Sequence, residues 1–289
     1  MREANNRSRQ LCVGGVHRAL LSACLTVLCV AQLWLWPTAS SANERHFAYA
    51  YETGVLPHGA VELELWSTAR VGRDDYYTRF DQRLELEVGL GHGLQTAFYM
   101  NFRAIAEETS DDIKKRFDFR GVSSEWKLKL SDPTADALGS AVYAEITWMP
   151  HEVELEAKLL LDKRLGDFLV AYNLVGELEI EIEKSAGAEA EWEKKIIVEN
   201  LLSFGFFASE RTSVGVELRS PMVWKDGSLS YAALFAGPSV SFSDRSWWVA
   251  MSVLAQLPAL KGSEGAPDEV FVLDSQERFE ARLLLGFHL

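Results

Sequence analysis

The sequence predicts an all-β protein: a transmembrane antiparallel β-barrel of about 12 strands, with 14 as the alternative count. Three observations carry this. Apolar and polar residues alternate with period two along segment after segment. The segments run about 10 to 18 residues, whereas soluble-domain strands average about 5 to 6 and a bilayer-spanning strand needs about 9 to 11. Their number is even, as in single-chain bacterial barrels.

The chain opens on a different pattern. Arg2, Arg7, Arg9 and Arg18 form a basic region, and Ala19 to Trp36 is an apolar run of 18 residues. Pro37 breaks it, and Thr38 to Ala42 supplies small residues, with Ser40 and Ala42 placed as −3 and −1 of a cleavage site. Residues 1–42 therefore read as a cleaved Sec-type signal. An uncleaved anchor and a lipid attachment at Cys24, in Leu21-Ser22-Ala23-Cys24, are the alternatives. All three cysteines precede residue 30, so the mature chain is expected to be exported without disulfides. Removing four of 29 basic and one of 42 acidic residues leaves a net charge of −16. That disfavours nucleic acid and simple adhesion to anionic lipid.

Residues 43–58 are expected to form a periplasmic extension that tucks into the barrel mouth. Phe47 to Tyr51 alternates, but a thirteenth strand there would break parity. The barrel is expected over 59–289, with strands near 60–70, 77–90, 94–104, 115–130, 138–149, 152–162, 167–183, 191–208, 212–220, 229–242, 246–257 and 276–289. In the first, Val61, Leu63 and Leu65 oppose Glu62 and Glu64. In the second, Leu84, Leu86 and Val88 oppose Arg83, Glu85 and Glu87. The sixth sets Val153, Leu155, Ala157 and Leu159 against Glu152, Glu154, Glu156 and Lys158, and the seventh sets Leu178, Ile180 and Ile182 against Glu177, Glu179 and Glu181. The last places Phe279, Ala281, Leu283, Leu285, Phe287 and Leu289 on one face. Successive strand residues point to opposite sides, so one face meets lipid and the other a polar interior.

With the C-terminus on the periplasmic side, the connections 105–114, 221–228 and 258–275 fall outside and Gly91-His92-Gly93 falls inside. Tyr76, Tyr77, Trp148, Trp192 and Trp224 are expected in an outer aromatic girdle, and Trp247, Trp248 and Phe287 in an inner one.

The stretch from Leu56 to Leu65, opening on Leu56-Pro57-His58-Gly59, and the stretch from Leu84 to Gln95 resemble the start of outer-membrane barrels grouped with the phenol meta-pathway "transporter" family. Val88-Gly89-Leu90 stands where that family has Tyr-Gly-Leu. The resemblance covers about 40 residues clearly and implies a porin-like barrel in the outer membrane; it names no solute.

Charged side chains facing lipid at the midplane cost about 2–4 kcal/mol each for Arg or Lys, so these must face the lumen. Glu62, Glu64, Arg83, Glu85, Glu87, Arg103, Lys127, Glu154, Glu156, Glu177, Glu179 and Arg282 are the candidate lining residues. Asp81, Glu125, Glu145, Glu181, Glu217 and Glu280, with Lys129, Lys158, Arg219 and Arg278, share that face. Acids outnumber bases, which predicts a lumen that favours cations. The expected function is passive passage of small solutes through an acidic lumen. Two alternatives stand beside it: a plugged structural or adhesive barrel, and a soluble periplasmic β-protein binding a ligand. No Gly-x-Ser-x-Gly or His-Glu-x-x-His occurs, so no catalytic residues, metal or cofactor are expected. The loop acids Glu107, Glu108, Asp111 and Asp112, and Glu264, Asp268 and Glu269, lack EF-hand spacing. Expected partners are outer-membrane lipid and lipopolysaccharide, and the barrel-assembly machinery through the C-terminal strand Phe279 to Leu289.

Overall fold

The computed structural model describes residues 44–109, 112–183 and 191–289. The signal expected over residues 1–42 lies outside the described residues. Twelve strands close on themselves: β1 (Val61–Val71), β2 (Tyr77–Gly91), β3 (Leu94–Glu108), β4 (Ile113–Ser131), β5 (Gly139–Trp148), β6 (Glu152–Leu165), β7 (Phe168–Glu183), β8 (Glu191–Phe207), β9 (Thr212–Lys225), β10 (Ser228–Ser243), β11 (Trp247–Lys261) and β12 (Phe279–His288). Each pairs antiparallel with its sequence neighbours, and β1 pairs with β12 from Glu62↔His288 to Val71↔Phe279. No edge is left, so every wall strand has ladder partners on both sides, as a bilayer requires.

The alternation read from the sequence is the inside–outside alternation of the wall. In β1, Glu62, Glu64, Trp66 and Thr68 are buried while Leu65 is exposed. Leu86, Phe98, Met100, Trp126, Leu155 and Val216 face outward and exposed, giving an apolar exterior. A 10-residue strand such as β5 or β12, at about 3.4 Å per residue and a tilt of about 40°, spans roughly 26 Å, the height of an outer-membrane apolar band. The 19 residues of β4 carry the wall well beyond it. This is an outer-membrane barrel architecture. β1 begins and β12 ends at the end with the short turns 92–93, 166–167 and 244–246, which is the periplasmic end.

Three expectations need correction. Tyr77 and Trp248 do not join a lipid-facing girdle: they are 8% and 0% exposed and point inward. The reason is the alternation itself, since the adjacent Trp247 and Trp248 must lie on opposite faces. Tyr77 packs under the Arg73 guanidinium, while Trp248 donates its indole N–H to Glu62. The connection expected over 221–228 shrinks to Asp226-Gly227, both with positive φ (48° and 79°), the geometry of a two-residue hairpin turn. Pro221 suggested a strand end, but the strand continues through Met222, Val223 and Trp224. Likewise β3 and β4 extend past their expected ends, leaving only 109–112 between them.

The longest connection, 262–278, folds back over the outer mouth. The Val272 N–H donates to Gln256 Oε1 at 2.7 Å, Gln276 donates to the Tyr231 hydroxyl, and Glu277 pairs with Arg73 at 2.6 Å. Full closure predicts heat-modifiable mobility. Purified protein loaded in SDS without boiling is expected to run apart from the boiled chain; a single mobility in both lanes would contradict a closed barrel.

Candidate functional site

Residues 44–58 run through the inside of the barrel. The chain enters across Gly89, where any Cβ would strike the backbone carbonyls of Leu56 and Pro57. Gly59 N–H to Gly89 O (2.8 Å) and Gly89 N–H to Ala60 O (2.9 Å) fix that threshold. From there the segment crosses the lumen without regular secondary structure. Phe47 to Tyr51 are 0–7% exposed and form one apolar cluster with Trp66, Tyr143, Phe235 and Trp248.

A buried backbone outside any ladder needs other partners, and four wall side chains supply them. Glu217 on β9 accepts the N–H groups of Ala48, Tyr49 and Ala50, each at 2.9 Å. Ser252 donates to the same carboxylate. Asn173 on β7 accepts the Tyr51 N–H (2.7 Å) and donates back to its carbonyl (2.8 Å), copying a ladder pair with a side-chain amide. Asp162 on β6 takes the Thr53 N–H and hydroxyl, and Gln95 on β3 takes the Leu56 N–H. Sequence reading placed Glu217 on the inward face and singled out none of the other three. Their inward positions were readable, whereas a partner more than 100 residues away for two of them was not.

Tyr51 marks where the lumen is divided. An outer cavity of about 510 Å³ and an inner one of about 390 Å³ are both lined by it. The Arg45 guanidinium lies 4.0 Å from its ring centroid, the Lys158 ammonium 4.1 Å, and Tyr143 packs edge-on at 5.4 Å. Such cation–π contacts hold the ring in place.

The twelve candidate lining residues separate into three groups. Arg83, Arg103, Glu154, Glu156, Glu177, Glu179 and Arg282 line the outer cavity. Glu87 and Lys127 line the inner one. Glu62, Glu64 and Glu85 line neither and are 0–1% exposed. Glu62 accepts from Trp248 and lies 2.5 Å from His288 Nδ1, and Glu64 accepts from Trp66 at 2.7 Å. Oxygens of Glu62, Glu64 and Glu87, and of Glu85, Glu87 and Glu125, fall within 4.8 Å of one another, a donor set of the kind hard cations take. Arg45 and Lys127 bring opposing charge to these carboxylates. The outer cavity is lined by nine basic and eight acidic side chains, so it is close to neutral.

Three histidines contact an acid or a carbonyl. His46 bonds Glu52 at 2.8 Å, His58 meets the Leu90 carbonyl and His288 meets Glu62; no serine partners them among the described residues.

A family model matches residues 39–289, described as a family of unknown function, DUF6662. The chain belongs to that family. No curated protein matches it. Among solved structures, the COG4313 outer-membrane channel from Pseudomonas putida F1 is similar at 13% identity and a TM-score of 0.57, over 81% of this chain and 97% of that one. The NanC porin is similar at 9% identity and 0.50, over 78% and 100%. The β domain of the Bordetella autotransporter BrkA is similar at 10% identity and 0.50, over 80% and 100%. These likenesses establish that this DUF6662 member has the fold of outer-membrane barrels and porins. The resemblance to phenol meta-pathway barrels is thereby shown only at that coarser level.

Two outcomes are expected for the segment. Glu217→Ala leaves three buried N–H groups without their acceptor, at about 1–3 kcal/mol each, so protease cleavage within residues 44–56 should become faster while the barrel stays SDS-resistant. The His46–Glu52 clasp should also respond to pH. Burial pulls His46 down, but Glu52 outweighs it and the net shift is upward from 6.5. Burial pushes Glu52 up, but His46 outweighs that and Glu52 ends below 4.5. The raised His46 stabilises fully below 6.5 and loses that as pH rises through its folded value. The lowered Glu52 stabilises fully above 4.5 and loses that as pH falls through its folded value. The clasp is thus complete between pH 4.5 and 6.5. Protease protection of the segment should fall on going from about pH 6 to about pH 9, and His46→Gln should flatten that dependence.

Proposed function

We propose that this protein is a porin-like passage for small solutes across the outer membrane, closed in this state by its own N-terminal segment at Tyr51. The observation that carries the reading is the pair of polar cavities meeting at one aromatic ring. A barrel packed solely for strength would have no reason to leave about 510 Å³ open to charged side chains above a ring and about 390 Å³ below it. Passage would be diffusive and without covalent chemistry, with Arg83, Arg103, Glu154, Glu156, Glu177, Glu179 and Arg282 bordering the outer half. The near balance of charge there supports a lumen that handles polar solutes of mixed charge, in place of a uniformly cation-selective one. Lipopolysaccharide around the apolar wall, and recognition of β12 during assembly, belong to the same reading, as does the narrower kinship carried by residues 56–65 and 84–95.

A second reading keeps the barrel permanently plugged. The anchoring of residues 48–56 by Glu217, Asn173, Asp162 and Gln95 favours it. Planar-bilayer conductance separates the two. On the passage reading the wild type conducts weakly, and Tyr51→Gly, or deletion of residues 44–55, raises single-channel conductance at least fivefold. No rise in either variant, with the barrel still heat-modifiable, would leave the plugged reading.

A further inference from the structure

We infer that the outer cavity is a binding site for small zwitterions, molecules carrying an anionic and a cationic group on one short frame. This deepens the passage reading and rests on it for its biological purpose, but binding itself needs no open pore.

The first observation is where the charges sit. In the closed strand order, β12 and β1 lie across the barrel from β6 and β7. Guanidiniums line the first wall at Arg282 on β12 and Arg70 on β1 and continue beside it at Arg79 on β2 and Arg103 on β3, strands that lie opposite β8 and β9. Carboxylates line the opposite wall, on β6 and β7. A cavity with opposite charge on facing walls has a field across it and not along it.

The second observation is that the acidic wall holds like charges directly side by side. Across the β6–β7 ladder, Glu152 faces Glu181, Glu154 faces Glu179 and Glu156 faces Glu177. Across the β1–β2 ladder Arg70 faces Arg79, while on the flanking ladders Arg70 faces Glu280 and Arg103 faces Asp81. Like charges directly opposite in a sheet are destabilising. A wall built for strength alone would alternate them.

The third observation is that the internal pairing is incomplete on both sides. Arg70, Arg79 and Arg103 all converge on Asp81, at 3.5, 2.7 and 2.8 Å. Arg70 has a second partner in Glu280, whereas Arg79 and Arg103 have no carboxylate other than Asp81 among the described residues. On the acidic wall, Lys158 takes Glu156, Lys195 takes Glu179 and Arg120 takes Glu152. Glu154 and Glu177 have no cation within ion-pair distance among the described residues. Arg79 and Arg103, sharing one carboxylate, thus leave one guanidinium in excess, and Glu154 and Glu177 leave two carboxylates in excess, all lining one cavity of about 510 Å³, within the range of small-molecule sites. A planar guanidinium pair suits a carboxylate or phosphate, and the facing glutamates suit an ammonium.

The test uses the intact, closed barrel in detergent and isothermal titration calorimetry. The probes are ω-amino acids from 4-aminobutyrate to 8-aminooctanoate, each with its N-acetyl form (anion only) and methyl ester (cation only). At least one amino acid is expected to bind tenfold or more tightly than both of its single-charge forms. Arg79→Ala with Arg103→Ala should abolish that advantage over the ester, and Glu154→Gln with Glu177→Gln the advantage over the N-acetyl form. Unboiled gel mobility confirms that each variant is folded. Equal affinity for all three forms, or no binding of any, overturns the proposal. So does binding of Mg²⁺ or Ca²⁺ that Glu154→Gln removes while no amino acid binds, since the acidic wall would then be a metal site. Because the readout is binding, its failure is distinct from a failure of the conductance experiment.

Discussion

The interior of this barrel is organised around one buried carboxylate. Glu217 is fully buried and takes three consecutive backbone N–H groups from the N-terminal segment. A carboxylate with no donors would be costly there, and a bare turn of backbone would be equally costly. Each removes the other's penalty. With that turn held, Tyr49 and Tyr51 are set at mid-lumen, the Arg45 guanidinium stacks on Tyr51, and the lumen is split into an outer and an inner cavity. The division of the lumen therefore follows from a hydrogen-bonding requirement satisfied at one point on β9.

Much of the wall was legible in the sequence because a barrel wall obeys a local rule. Glu62 and Glu64 point inward and Leu65 outward for the same reason that the whole of β1 alternates, and all twelve strands were found on that rule. It failed where its own logic was set aside: Trp247 and Trp248 were grouped as one girdle although neighbours in a strand must face apart. It also failed at Pro221, a residue that ends most central strands yet sits within β9, paired in register with Glu199.

What lies inside the wall was much less legible. Alternation says that Asp162, Asn173 and Gln95 face inward, but not that they face a strip of backbone from the other end of the chain. The same blindness affected the charges. Counting acids and bases gave a net negative lumen, whereas their placement gives an arginine wall opposite a glutamate wall, with other glutamates withdrawn beside Trp66, Trp248 and His288. Closure of the strand order decides which strands face each other, and no single hairpin contains that information.

The entry of the segment across Gly89 has a consequence for how the molecule is made. Residues 47–56 precede every strand in the chain, yet their anchors lie on β3, β6, β7 and β9, with Glu217 some 170 positions further along. Contacts of such long sequence separation form late. The segment must therefore wait for its seat while the wall is laid down. It precedes the barrel in the chain and is the last part to find its seat, so assembly passes through an open cylinder before it reaches the closed one.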